Sequence, residues 1–146
     1  MISDDGLPAR VRALFEDLVH VGDLPDVGAR ERQGADEVLR GQAGSRAEGT
    51  QVRFTLGLTD ARIIAVRYRV YGCPYTLATC EWLARRLSGA PLAGRSATAL
   101  TSVVGQPTEW AAALQVPAAR LGRLLIIEDA LRAALLQRSA TSDTPQ

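Results

Sequence analysis

Two alternating runs that feed directly into a helix constrain this chain more than any other feature. Val52, Phe54, Leu56 and Leu58 alternate with Gln51, Arg53, Thr55 and Gly57. Ile64, Val66, Tyr68 and Val70 then alternate with Ala65, Arg67 and Arg69. A period of two puts one side of each strand inside and the other in water. A tight turn at Thr59-Asp60 joins the runs into an antiparallel hairpin with one apolar face. The second run ends in Tyr71-Gly72-Cys73-Pro74, and an amphipathic helix over 75–88 follows at once. Leu77, Cys80, Leu83, Ala84 and Leu87 share its inner face, and Gly89 ends it. One thiol therefore stands at a helix N-terminus, where open backbone N–H groups and the helix dipole favour a thiolate. Such a thiolate can bind metal, accept sulfur or act as a nucleophile.

The remaining pattern is mostly helical. Pro8 opens a first helix that presents Val11, Leu14, Phe15, Leu18 and Val19 on one face and stops at Gly22. Residues 22–35 read as an irregular connection rich in Gly, Asp and Pro. Residues 36–47 fit neither period, because Gly41 and Gly44 weaken both assignments. Two short helices are expected within 92–115, broken at Gly105-Gln106-Pro107. A long helix follows from about Ala118 to Arg138, along a stripe of Leu121, Leu124, Leu125, Glu128, Leu131, Ala134 and Leu135. Residues 1–7 and 139–146 read as polar tails around one α+β domain over 8–138.

Composition removes several function classes. At 146 residues and a formal net charge of +1, nothing global attracts nucleic acid or a membrane surface. No apolar run approaches the roughly 18 residues of a membrane span, and MISDDGLPAR has no hydrophobic signal core. A cytoplasmic location is the expectation. All 17 basic residues are Arg, a bias that fits a GC-rich bacterial genome better than an arginine-based function. Cys73 and Cys80 would lie about 10 Å apart along one helix. That is beyond the roughly 7 Å a disulfide tolerates, so both should be free thiols. Cys80 reads as buried packing, and Trp82 and Trp110 as core or partly buried anchors. His20, without a second ligand at metal spacing, reads as a solvated helix-end residue. Arg67, Arg69, Arg85 and Arg86 should cover exposed faces. Tyr75 either shields the thiol or belongs to a partner surface.

Three stretches, in order, resemble the iron–sulfur cluster assembly scaffolds of the IscU type and the N-terminal domain of NifU. They are VRALFEDLVHVG at 11–22, YRVYGCPYTLATCEWLARRLSGAPL at 68–92 and VPAARLGRLLIIEDALRAAL at 116–135. The Tyr-Gly-Cys step and the Glu128-Asp129-Ala130 triplet carry most of the match. The resemblance implies an α+β fold with a small antiparallel sheet of about three strands packed against several helices. It also supplies a first strand at about 36–47.

Family members hold a nascent cluster or a zinc ion with three cysteines and an Asp. Carried over by position, the middle cysteine is Cys73. The first falls at Glu48 or Ser45, the Asp at Thr50, the third cysteine at Arg123 and the His before it at Gly122. The chaperone-recruiting motif is reduced to Val116-Pro117-Ala118-Ala119-Arg120. Metal ligands are thus limited to Cys73 and Glu48, and Arg123, permanently cationic, cannot ligate. The resemblance implies a scaffold or carrier, not an enzyme, accepting sulfur, iron or a partner protein around Cys73 and working with a cysteine desulfurase. One alternative is a cluster-less binding or regulatory module in which Glu48 and Arg123 pair where metal would sit. Another is persulfide transfer through Cys73.

Overall fold

The computed structural model describes residues 6–24, 34–92 and 96–136. Both expected tails lie largely outside that range, as does most of the connection over 22–35, though Leu7 is buried in the core. A three-stranded antiparallel meander, β1 (Glu37–Ser45), β2 (Thr50–Thr59) and β3 (Arg62–Tyr71), forms one layer. Helices α1 (Ala9–Phe15), α2 (Pro74–Leu87), α3 (Ala97–Val104), α4 (Pro107–Leu114) and α5 (Leu121–Leu136) complete the fold, with a 3-10 turn, Ala118–Arg120, leading into α5. This is the expected α+β architecture, including the strand that Gly41 and Gly44 obscured.

Gly41 explains itself in three dimensions. A Cβ built on it would lie 2.1 Å from both the Ala130 carbonyl oxygen and the Ala134 nitrogen. The backbone of α5 lies directly on β1 there, and only a residue without a side chain admits it. The rows Leu39–Leu56–Val66 and Gly41–Phe54–Tyr68 face the helices. Phe54 and Tyr68 pack ring to ring across the strands at 5.9 Å.

Three local expectations are corrected. The hairpin turn is centred on Asp60 and Ala61, not Thr59-Asp60. Both central residues are left-handed, at φ 53° and 61°, as a two-residue hairpin loop requires. A bulge between Gly57 and Leu58 pairs Leu58 with Ile63. Ile63 therefore takes the inner position, and Ile64, expected inside, is 38% exposed. On α5, Leu125 faces outward and Ile127 and Ala130 line the core in its place.

The first helix is shorter than its apolar period suggested. It ends at Phe15, and the chain then runs extended along β3. The Gly22 N–H donates to the Tyr68 carbonyl and the Tyr68 N–H to that of His20. Val19, expected on the helix face, is exposed. Farther along the same edge, Gly89 and Ile63 donate N–H bonds to the carbonyls of Ile63 and Ala90. Backbone thus covers the free edge of β3 at two places.

Candidate functional site

Cys73 is the N-cap of α2, in extended conformation (φ −91°, ψ 170°), with Pro74 in the first turn. Proline suits that turn because its missing N–H has no acceptor there anyway. The Cys73 side chain is half-buried, and Sγ lies 3.4 Å from the Thr76 hydroxyl. Burial works against ionisation of this thiol. It is outweighed by hydrogen bonds from the Thr76 hydroxyl and the N–H groups of Thr76 and Tyr75, and by the Arg120 charge, so the pKa is lowered. Cys80, two turns on, is fully buried as expected. Desolvation and the nearby Glu81 push its thiol well up, which makes it inert.

Two arginine–tyrosine stacks flank Cys73. The guanidinium of Arg46, from the β1–β2 turn, sits 5.1 Å from the Tyr71 ring centre. That of Arg120, from the turn before α5, sits 5.6 Å from the Tyr75 ring centre. These contacts draw the β1–β2 turn and the start of α5 to the residues on either side of the thiol. Tyr75 gives the thiol its backbone N–H and carries Arg120 over its ring. Arg120, which the sequence did not single out, is the cation acting on Cys73.

The other expected site residues distribute unevenly. Glu48 is exposed in the β1–β2 turn, where its N–H donates to the Ser45 carbonyl and hydroxyl. Ser45 ends β1 opposite Thr50. Thr50 is buried at the start of β2, one step beyond the Gln51–Tyr71 pair and so beside the turn that carries Cys73. Gly122 is exposed, with nothing near the place a Cβ would take. Arg123 is half-buried in the first turn of α5, and its Nε is buried without a hydrogen-bond partner among the described residues. Among the described residues no ion pair joins Glu48 to Arg123. Nor do three His, Cys, Asp or Glu side chains among them gather as metal ligands.

A second polar cluster was not foreseen. Glu81 projects from the middle of α2 and is fully buried. Its carboxylate accepts from the His20 N–H at 3.1 Å, His20 Nδ1 at 2.7 Å, the Tyr68 hydroxyl at 2.8 Å and Arg85 Nε at 2.9 Å. Burial alone would raise its pKa, but the Arg85, His20 and Tyr68 hydrogen bonds hold it below the usual carboxylate value. Arg85 continues to the Asp17 carbonyl and carboxylate. His20 was expected in solvent, and Arg85 on an exposed face, where it does lie. His20 is instead drawn in because α1 stops early, and Arg85 spans from the buried carboxylate to the surface. The available signal was Glu81 itself, one position from Cys80 and two from Leu83 in a helix whose inner face is apolar.

Comparison with known proteins agrees with this architecture. The model of the NifU-like N-terminal domain matches residues 11–141. A bifunctional NifU/MnmA protein of Rubrobacter xylanophilus is 46% identical over 55 residues, which are 37% of this chain and 11% of that relative. The fold matches a SUF-system iron–sulfur cluster assembly scaffold protein of Fervidobacterium islandicum AW-1. That match has a TM-score of 0.60 and 15% identity, and covers 88% of this chain and 95% of the other. It also matches the N-terminal part of a nitrogen-fixing NifU-like protein of Brucella abortus, with a TM-score of 0.56, 18% identity and 88% and 90% coverage. Because the family model spans nearly the whole chain, the protein belongs to the NifU-like N-terminal domain family.

Proposed function

We propose that this protein is an iron–sulfur cluster assembly scaffold in which Cys73 is the single acceptor on the chain. The observation that carries this reading is the placement of Cys73. It is a half-buried thiol at the N-cap of α2, held toward the thiolate by Thr76 and Arg120, in a chain of a scaffold family. The cluster is cargo here, and the residues present do not make a complete ligand set for it. One thiol near the Arg120 charge supplies one ligand where a cluster needs about four. A second chain or a partner protein would bring the others.

Sulfur acceptance fits the chemistry best. The Cys73 thiolate attacks the outer sulfur of a partner's persulfide, such as that of a cysteine desulfurase. A new S–S bond forms, the old one breaks, and the partner's cysteine leaves as thiolate. No oxidant is consumed. The guanidinium of Arg120, which already favours the Cys73 thiolate, favours the anionic product as well. In this role the protein is a carrier, and turnover belongs to the desulfurase.

Incubation with a cysteine desulfurase and cysteine, followed by intact-mass and peptide analysis, tests this. A single 32-Da addition on Cys73, lost in Cys73→Ser and kept in Cys80→Ser, is expected (approximate mass of one sulfur, about 32 Da, in the chemistry of). Unmodified Cys73 after full desulfurase turnover would overturn it. The cluster-less module is the second reading, favoured by Arg123 at a family ligand position. Metal analysis separates the two: iron or zinc near one per chain that disappears in Cys73→Ser supports the scaffold, and metal-free protein that still binds the desulfurase supports the module.

A further inference from the structure

The outer face of the sheet, opposite the helices, carries a feature that cluster assembly does not use. Across the strands, Gln42, Arg53 and Arg69 stand in one row, and Gln51 and Tyr71 are neighbours in the next. Together with Arg46 they line a cavity of about 320 Å³. Three guanidiniums therefore converge on one concave surface.

Asp23 partly balances them. Its carboxylate accepts from Arg53 at 2.7 Å, from Arg69 at 2.8 Å and from the Thr55 hydroxyl at 3.3 Å. Among the described residues, one carboxylate against three guanidiniums leaves about two positive charges on the cavity wall. Among the described residues no carboxylate pairs with Arg46, which leans on the Tyr71 ring instead. The Nε of Arg53 is buried without an acceptor among the described residues. A buried donor without a partner costs on the order of 1–3 kcal/mol, and native structures rarely leave one so unless something else fills it. The two glutamines add neutral donors around the same space. Asp23 already shows the kind of group that this wall accepts: a planar oxyanion taking hydrogen bonds from two guanidiniums.

We propose that the cavity between Arg46, Arg53, Arg69, Gln42, Gln51 and Tyr71 is a binding site for a divalent oxyanion group, phosphate or paired carboxylates. The group arrives either as a free small anion or on the acidic side chains of a partner. Its oxygens accept from Arg46 and Arg53, while Asp23 continues to hold Arg69. This site does not depend on Cys73 as the sulfur acceptor, although Tyr71 stands only two residues before it in the chain.

Titration calorimetry on the full chain tests it, with inorganic phosphate and, separately, a short glutamate peptide as probes. Saturable binding of at least one is expected. Arg46→Gln, in an exposed turn, should weaken it about tenfold. Asp23→Asn frees two guanidiniums from their internal anion and should tighten it a few-fold, roughly. Phosphate alone identifies a free anion, and peptide binding with the same Arg46 dependence identifies a partner's acidic segment. No saturable binding of either probe overturns the site. So does binding that is indifferent to Arg46→Gln, or that weakens in a folded Asp23→Asn.

Discussion

The first turn of α2 and its middle treat polar groups in opposite ways. At the first turn, Cys73 is half-buried and its thiol meets one hydroxyl and two N–H groups, with surface left over. About 12 Å along the same helix, Glu81 is fully buried and accepts four hydrogen bonds, which uses its lone pairs completely. A saturated carboxylate has nothing left to offer a ligand. Its work is mechanical: it fastens the segment 17–22 and β3 to α2. The thiol, held toward its reactive form but not saturated, is the group that can still acquire a partner. Perturbed ionisation alone would have flagged both residues, and the count of remaining bonding positions separates a clamp from a site.

The sharpest way to break this comparison is to remove the clamp. Glu81→Ala leaves the buried Tyr68 hydroxyl and the largely buried His20 without their acceptor and should cost about 3 kcal/mol of unfolding free energy, measured in urea. In the fraction that remains folded, thiol titration of Cys73 should be unchanged. A Cys73 titration that moves with Glu81→Ala would join the two regions into one network.

Acid tests the clamp more gently. The folded Glu81 carboxyl lies below its ordinary value of 4.5. Its contribution is therefore complete above the unfolded pKa and is lost as pH falls through the folded one. Unfolding experiments from neutral pH down to about pH 3 should show wild type losing stability more steeply than Glu81→Gln, which has no such proton to take up. Parallel slopes would assign the acid sensitivity elsewhere.

Thiol labelling compares Cys73 directly with its buried neighbour. At neutral pH and without denaturant, iodoacetamide should modify Cys73 at least ~100-fold faster than Cys80, whose reaction should follow global unfolding. Comparable native rates would mean that α2 opens locally and that its two cysteines are not distinct.

Much of this arrangement was legible in the sequence, for physical reasons that differ by residue. The hairpin and α2 announce themselves because alternation and helical period survive any tertiary context. Cys73 was legible because strand, turn and helix start meet within four residues. β1 was not, because Gly41 has no periodicity to offer. Its meaning lies in the backbone of α5, about 90 residues away in sequence by the numbering of Gly41 and Ala130. Val66 and Tyr68 lie inside as expected, and only the start of β3 was misassigned, Ile64 for Ile63, since a bulge leaves no compositional trace in Leu58–Ile64. Glu81 escaped notice because burial of a charge depends on four donors from three separate segments. His20 then inherited the wrong surroundings, and Arg85, exposed as expected, was missing its buried partner. Arg123 was expected near Cys73 through the family alignment, yet the cation that acts on the thiol is Arg120, one helical turn earlier.

That last difference sets the smallest and most discriminating effect. Thr76→Val keeps the shape of the buried side chain and the backbone N–H but removes the hydroxyl beside Sγ. It should raise the Cys73 pKa and slow neutral-pH labelling by about a few-fold, with a stability cost near ~1 kcal/mol. Arg120→Gln removes only a charge at the rim, where solvent screens it. Its effect has the same sign but is smaller, and should fade as salt is added. Arg123→Gln should leave the thiol still less affected, because its neighbourhood in the first turn of α5 does not act on Cys73 as that of Arg120 does. If instead Arg123→Gln moves the titration more than Arg120→Gln, the family's ligand position still governs the thiol. The cation there would then be a functional replacement for a cysteine, and the first turn of α2 would owe its reactivity to α5 more than to its own N-terminus.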